Sequence, residues 1–213
     1  MKRREHTFRD IQELQNLFAE RKTAIRQRLN EFASVRPEEL YYELAYCLLT
    51  PQSSAVNAAL TVNALKKAEF LSREMDPVAI VSSRAHYIRF HNTKARHLEE
   101  AKRNFPVIAA KLSNGSTGPE LRDWLVEHVS GFGWKEASHF LRNIGHRDLA
   151  ILDRHILRNL RRHGVIRSIP KSLTPKRYFA IEARFAAFAS QIGISMDELD
   201  LLFWSRETGE ILK

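Results

Sequence analysis

The 213-residue chain is long enough for one large domain or two helical lobes. Its 44% hydrophobic and 28% charged residues are typical of a packed globular protein and not of a disordered one. Its 34 Lys and Arg against 25 Asp and Glu give a net charge of +9, which favours a polyanionic partner over a merely basic soluble protein. No apolar run approaches the roughly 20 residues of a membrane span, and no apolar signal core follows Met1. We therefore expect an intracellular protein that does not bind membranes.

Helical periodicity extends through almost the whole chain. Apolar residues recur at spacings of three and four from Leu40 to Leu48 and from Leu121 to Val129. Proline near a first helical turn marks further helix starts, at Pro37, Pro77, Pro119 and Pro175. Sustained strand-like alternation is absent, so the sequence predicts an all-α fold of about nine or ten helices.

One proline lies inside an otherwise helical segment. Pro106 interrupts the pattern from Thr93 to Leu112, and it cannot donate a backbone hydrogen bond. The residue before a proline is also restricted, so we expect a kink or break near Phe105.

Cysteine and histidine usage argues against a metal centre held by the protein. The single cysteine, Cys47, cannot form an internal disulfide or a cysteine-rich zinc or iron-sulfur site, and its helical context predicts a buried residue. The nine histidines show no HxxxH pairing. We expect no cofactor and no iron-sulfur cluster. A monovalent cation could still bind to backbone carbonyls in the helix-turn-helix segment at residues 121–143.

The segment from Leu121 to Asn143 has the pattern helix, tight turn, helix. Gly131 and Gly133 permit positive φ and close backbone approach, and the first-turn amides of the second helix point outward with partial positive charge. A DNA phosphate can bind such amides without base-specific contacts. The alternative is an ordinary αα-hairpin whose glycines only form the turn.

Lys135 follows this turn in the first turn of the second helix. A cation there opposes the helix dipole, where an acidic residue is normally preferred. This position favours a functional lysine, either a nucleophilic amine or a phosphate ligand.

Eighteen residues after Lys135, Asp153 follows an apolar stretch and precedes a predicted helix. Aspartate is a preferred N-cap residue, because it accepts hydrogen bonds from first-turn amides. The capping role is compatible with a catalytic one.

Gly131-Phe132-Gly133-Trp134-Lys135, together with Leu152-Asp153-Arg154-His155, resembles the endonuclease III superfamily of helix-hairpin-helix DNA glycosylases. Within it, residues 135–143 and the ending from Leu201 to Lys213 resemble the compact 8-oxoguanine DNA glycosylase/lyase of archaea and some bacteria. The resemblance covers nearly the whole chain.

The resemblance implies roles for four further residues. Gln52 corresponds to a glutamine that enters the gap left by an extruded nucleotide, and Phe90 to an apolar wedge between base steps. Trp204 and Lys213 would form the base pocket, Trp204 as a stacking wall and Lys213 with its terminal carboxylate as the closure. The alternatives are a helix-start polar residue for Gln52, core residues for Phe90 and Trp204, and a frayed terminus for Lys213.

The resemblance also implies two helical lobes with an active-site cleft between them. Residues 36–147 would form the helix-hairpin-helix lobe, and residues 1–35 plus 148–213 the second lobe. We expect a monomer that acts on damaged double-stranded DNA in the cytoplasm or nucleoid of a prokaryote.

The implied activity is that of a base-excision repair DNA glycosylase and abasic-site lyase. Asp153 and Lys135 would be the catalytic pair, and the lysine would form a Schiff base before β-elimination. Two alternatives stay open. One is a glycosylase/lyase for another damaged base, and the other is a non-catalytic hairpin module that binds the DNA backbone.

Overall fold

The computed structural model describes residues 8–211, apart from the side chain of Thr208. Within that range the chain forms ten α-helices, two short 3-10 helices and no strand, so the predicted all-α fold is confirmed. The 3-10 helices span Pro37–Glu39 and Arg84–His86. The α-helices are α1 (Ile11–Ala33), α2 (Leu40–Leu49), α3 (Ala55–Lys67), α4 (Val78–Val81), α5 (His91–Leu112), α6 (Gly118–His128), α7 (Trp134–Asn143), α8 (Arg154–Arg162), α9 (Pro175–Ile192) and α10 (Met196–Thr208).

Proline marks the helix starts that the sequence predicts. Pro37 begins the first 3-10 helix, Pro77 immediately precedes α4, Pro119 is the second residue of α6, and Pro175 is the first residue of α9. The fixed φ of proline suits a first turn, where its missing N–H costs no helical hydrogen bond.

Helix α5 continues through Pro106, so the chain does not break near Phe105. The ring of Phe105 packs edge-on against Tyr41 at 5.3 Å between centroids, and Leu98 and Ile108 on the same helix are buried. This tertiary packing outweighs the local cost of the proline.

The chain divides into two compact units. One comprises residues 33–146 and is called the hairpin unit below. The other comprises, among the described residues, 8–32 and 147–211, and is called the terminal unit. The lobes predicted from the sequence, 36–147 and the remainder, have boundaries a few residues away from these.

The core of the hairpin unit is built around α2, which contacts α3, α5 and α7. Most of its side chains are buried, among them Cys47, whose predicted burial is confirmed. The buried hydroxyl of Tyr41 donates to the carbonyl of Leu98 at 2.8 Å. At the far end of α7, Asn143 donates to Glu43 at 3.2 Å, so a buried polar pair fixes α7 against α2.

The core of the terminal unit includes several aromatic side chains from α9 and α10. Phe185, Phe188 and Phe203 are each 0% exposed, and the rings of Phe185 and Phe203 stack at 6.1 Å. Helix α1 is tied to α10 by Arg26, which contacts Glu198 at 2.9 Å.

Between residues 8 and 211, no helix combines the length and the apolar character that a membrane span requires.

Candidate active site

The predicted hairpin is formed by α6, a turn and α7, which pack against each other. Gly131 has φ 90° and lies so close to His97 that an added Cβ would be 2.4 Å from its Nδ1. Only glycine fits this position without strain. Gly133 has extended backbone and is the N-cap of α7. The two glycines therefore have different roles. Gly131 allows the His97 ring to pack against the backbone, and Gly133 begins α7.

Lys135 is the second residue of α7, in the first turn as predicted. Its side chain is 28% exposed, and its Nζ lies 2.9 Å from Oε1 of Glu136. The other oxygen of Glu136 accepts a hydrogen bond from the Gly133 amide at 3.2 Å. The acidic neighbour thus caps the helix and holds the lysine amine beside the hairpin turn, which offsets the unfavourable dipole.

Asp153 is the N-cap of α8, as its sequence context predicts. Its Oδ1 accepts from the backbone amides of His155 and Ile156 at 2.7 and 2.8 Å. Its Oδ2 accepts from Nε1 of Trp204 at 3.0 Å. Both carboxylate oxygens are hydrogen-bonded, so the orientation of the carboxylate is fixed from two sides.

The segment that leads to Asp153 is fixed within the terminal unit. Leu149 and Leu152 are buried, and the amide of Ala150 donates to Glu182 at 2.8 Å while its carbonyl accepts from the Tyr178 hydroxyl. An irregular buried segment needs such partners for its backbone polar groups. The result is a rigid approach to the carboxylate.

Gln52 and Phe90 share an unusual backbone conformation. Gln52 has φ 56° in the turn between α2 and α3, and Phe90 has φ 60° immediately before α5. Both side chains are exposed, Phe90 by 51%. The alternative of a core phenylalanine is therefore wrong. Gln52 lies two residues before Ser54, the N-cap of α3, so the alternative of a polar residue at a helix start stays open for it. Strained left-handed residues at exposed turns are typical of functional positions.

The sequence matches a family model described as 8-oxoguanine DNA glycosylase over residues 25–194. The chain belongs to the 8-oxoguanine DNA glycosylase family. The predicted resemblance is thereby confirmed.

Curated relatives of this 8-oxoguanine DNA glycosylase family member match along most of their length. The 8-oxoguanine DNA glycosylase/AP lyase of Fusobacterium nucleatum is 37% identical, with 94% of this chain and 96% of the relative covered. The enzyme of the same name from Korarchaeum cryptofilum is 38% identical, with 89% of this chain and 90% of the relative covered.

Solved structures agree with these matches. The crystal structure of the Methanocaldococcus jannaschii 8-oxoguanine glycosylase/lyase in complex with a 15mer DNA containing 8-oxoguanine has a TM-score of 0.86 and 32% identity, with 95% of this chain and 99% of that chain covered. The crystal structure of the Thermotoga maritima 8-oxoguanine DNA glycosylase has a TM-score of 0.83 and 32% identity, with 95% and 98% covered.

The family resemblance places two residues of this chain, Trp204 and Lys213, in a base pocket. Trp204 lies partly buried on α10, with its ring centroid 5.4 Å from that of His155 and its indole N–H on Asp153. Lys213 lies outside the described residues. The contact between Trp204 and Asp153 was not predicted, because nothing in the sequence relates positions 51 residues apart.

A second lysine, Lys94, is absent from the residues that the sequence predicts for the site. Lys94, on α5, is only 6% exposed, and its ammonium group donates to the carbonyls of Leu49 and Pro51 and to the hydroxyl of Ser53. Burial first, and then repulsion from Lys135, lower the pKa of Lys94 to about 8, and Glu136 acts in the opposite direction. A signal was available, since Lys94 precedes Leu98 by four residues and so falls on the apolar face of α5.

Proposed function

We propose that this protein removes 8-oxoguanine from double-stranded DNA and then cleaves the strand at the resulting abasic site. The observation that carries the proposal is the amine of Lys135, held in the first turn of α7 directly after the Gly131–Gly133 turn. Membership of a family whose curated relatives are named for both activities supports it.

DNA binding begins with the backbone. The amides at the start of α7 directly follow the Gly131–Gly133 turn, and a phosphate is a suitable ligand for such a helix end. The net charge of +9 adds long-range attraction. These contacts do not depend on the base sequence of the DNA. The protein can therefore bind at any position where a damaged base occurs.

The damaged nucleotide is extruded from the helical stack, because its glycosidic bond cannot be attacked within the duplex. Phe90 has an exposed apolar ring that can enter a base step and kink the DNA. Gln52 fills the gap that the extruded nucleotide leaves. The left-handed backbone at both positions supports these roles, since strain of this kind persists only where the surrounding structure imposes it.

Departure of the base leaves positive charge on the sugar at C1′. The carboxylate of Asp153 stabilises this charge, as carboxylates do in glycoside hydrolysis. Its fixed orientation, from two amides and the Trp204 indole, reduces the reorganisation needed during the reaction. Trp204 also lines the base pocket, and the family resemblance assigns the closure of that pocket to Lys213, which lies outside the described residues.

The neutral amine of Lys135 attacks C1′ as the bond to the base breaks, and opening of the sugar ring gives a Schiff base between the lysine and C1′. The protonated Schiff base acidifies the C2′ proton. Loss of that proton expels the 3′ phosphate by β-elimination, and hydrolysis of the Schiff base regenerates the lysine. Strand scission on the 3′ side therefore follows from the use of an amine rather than water.

Borohydride trapping tests the proposal directly. The protein is mixed with a duplex that contains one 8-oxoguanine, beside an undamaged duplex and one with a pre-formed abasic site. We expect a covalent adduct with 8-oxoguanine and with the abasic site. Trapping on the abasic site alone would retain the lyase but overturn the lesion, and no trapping on any duplex would favour the non-catalytic binding module.

We further infer that the protein acts in the cytoplasm or nucleoid of a prokaryotic cell, because its named relatives come from bacteria and archaea. The predicted monomer is checked by its elution volume in size-exclusion chromatography, with and without a DNA duplex.

A further inference from the structure

The ammonium group of Lys94 lies at the end of α2, inside the hairpin unit. It donates to the carbonyl of Leu49 at 2.6 Å, to the carbonyl of Pro51 at 2.6 Å and to Oγ of Ser53 at 3.1 Å. Leu49 is the last residue of α2, where helical carbonyls lack partners within the helix. A single side chain of α5 therefore holds the whole turn between α2 and α3.

Ser53 extends this network to a second segment. Its Oγ also accepts the backbone amide of Arg89 at 3.0 Å. The chain before α5 is bound to α3 as well, because Asn57 donates to the carbonyl of Tyr87 at 3.1 Å. The Ser53 hydroxyl thus joins the α2–α3 turn to the residue that precedes Phe90.

Among the described residues, five non-glycine residues have positive φ, and two of them lie next to the two ends of this link. Gln52 precedes Ser53, and Phe90 follows Arg89. The Arg89 guanidinium lies 4.9 Å from the centre of the Phe90 ring and limits its position. Left-handed conformations of non-glycine residues are costly and need support from their surroundings.

We propose that Lys94 and Ser53 are positioning residues that hold Gln52 and Phe90 in one fixed spatial relation, so that both side chains enter the DNA together during nucleotide extrusion. This inference rests on the roles proposed above for Gln52 and Phe90. Lys94 and Ser53 act through these two residues and do not contact the reacting atoms. The group of Lys94, Ser53 and Arg89 is called the tether below.

The chemistry of Lys94 fits this task. Its ammonium form has three N–H donors, and these match its three acceptors, the carbonyls of Leu49 and Pro51 and the hydroxyl of Ser53. Because burial lowers its pKa only to about 8, the ammonium form predominates at neutral pH. A buried apolar side chain would fill the space but leave the carbonyls of Leu49 and Pro51 without this donor.

Single-turnover kinetics of Ser53→Ala test the inference. One substrate is a duplex with 8-oxoguanine, which requires extrusion, and the other is a single strand with a pre-formed abasic site, which does not. We expect base release from the duplex to slow by about tenfold, because a hydrogen-bonded link to a charged group is lost. We expect unchanged β-elimination on the single strand. The matched control is Ser113→Ala, which removes an exposed hydroxyl bonded to Ala109.

We expect folded Lys94→Met protein to release the base from the duplex more slowly than Ser53→Ala does. Because Lys94→Met also removes a charge near Lys135, Ser53→Ala is the deciding variant. Phe90→Ala tests the proposed wedge independently. Because the tether acts through Gln52 and Phe90, adding Ser53→Ala to the Gln52→Ala/Phe90→Ala double variant should slow the duplex reaction no further.

The outcomes separate the two proposals. Normal duplex activity of Phe90→Ala and of Gln52→Ala would overturn the extrusion roles themselves. Slow duplex activity of Phe90→Ala with normal activity of Ser53→Ala would leave those roles intact and overturn the tether. Equal losses of Ser53→Ala on both substrates, in step with a lower melting temperature, would also overturn it, because a general loss of structure does not distinguish substrates.

Discussion

The indole N–H of Trp204 donates to Oδ2 of Asp153 at 3.0 Å, on the carboxylate oxygen that the helix cap leaves available. The other oxygen, Oδ1, accepts the amides of His155 and Ile156. One carboxylate thus provides different atoms for its structural role and for its proposed catalytic role. The cap fixes the position of Asp153, and Trp204 fixes the direction of the oxygen that remains.

Trp204→Phe separates these two contributions. Phenylalanine retains an aromatic ring for contact with the base but has no N–H donor for Asp153. We expect base release to slow by about tenfold, because the carboxylate loses one of its three hydrogen bonds. The melting temperature should change little, since the α8 cap remains. Single-turnover base release and thermal denaturation of the same preparation check both statements, and an unchanged rate would show that the indole bond has no part in catalysis.

Asp153→Asn removes the charge while retaining an N-cap oxygen, since asparagine caps helices about as well as aspartate. We expect base release to slow by at least about a hundredfold, because the positive charge at C1′ loses its counter-charge. The amide group of asparagine would also face the Trp204 N–H with a second donor. A variant that loses thermal stability but keeps its rate of base release would reduce Asp153 to a helix cap.

Lys135→Gln tests the nucleophile. Glutamine has no amine that can form a Schiff base, so borohydride trapping should be abolished on every duplex. DNA affinity should stay within a few-fold of the original, because a single charge contributes only part of the electrostatic attraction. Fluorescence anisotropy measures binding beside the trapping gel, and Lys22→Gln on the exposed side of α1 is the matched control. Retained trapping would place the nucleophile elsewhere.

The hairpin glycines should differ in their tolerance of alanine. At Gly131 an added Cβ would lie 2.4 Å from Nδ1 of His97 and the residue has φ 90°, so Gly131→Ala should lower the free energy of unfolding by about 1–3 kcal/mol. At Gly133 the nearest atom is Oε2 of Glu136 at 3.3 Å and φ is negative, so Gly133→Ala should cost less. Urea denaturation of both variants gives the comparison. Equal losses would mean that the close approach at Gly131 does not limit the hairpin.

The sequence was sufficient for features that depend on local chemistry. The N-cap role of Asp153 and the first-turn position of Lys135 both follow from helix start signals, and the structure agrees with them. Phe90 shows where such reasoning ends. An apolar residue between helices is more often buried, yet here the left-handed backbone directs it outward. The residue before it donates to Ser53, which is 36 residues earlier in the chain.

Lys94 shows the same limit from the opposite side. Its helical period places it in the core, but lysine is almost never buried without partners, and its partners lie more than forty residues earlier. Only the fold brings those carbonyls to the amine. Tertiary hydrogen bonds of this kind leave little trace in a single sequence.

The decrease in the free energy of unfolding at acidic pH should depend in part on His163, which lies in the terminal unit. The ring is 0% exposed, lies between the rings of Phe188 and Phe203, and has its Nδ1 3.0 Å from the carbonyl of Arg9. Burial lowers the pKa of His163, and the hydrogen bond to Arg9 only partly opposes this shift. The folded state therefore keeps His163 neutral at pH values where the unfolded chain binds a proton.

The sign of the effect follows from proton binding. Below the ordinary histidine value of 6.5, the unfolded state binds more protons at this position than the folded state, so the free energy of unfolding falls as the pH decreases from 6.5 towards the lowered pKa. Burial also lowers the pKa of His97 and His146, so they add to the same trend. His163→Phe should flatten part of this dependence while costing about 1 kcal/mol at neutral pH through the lost bond to Arg9. Urea denaturation between pH 5 and pH 8 measures the slope, with His128→Phe at an exposed position as the control; an equal slope in both variants would mean that His163 is protonated in the folded protein as readily as in the unfolded chain.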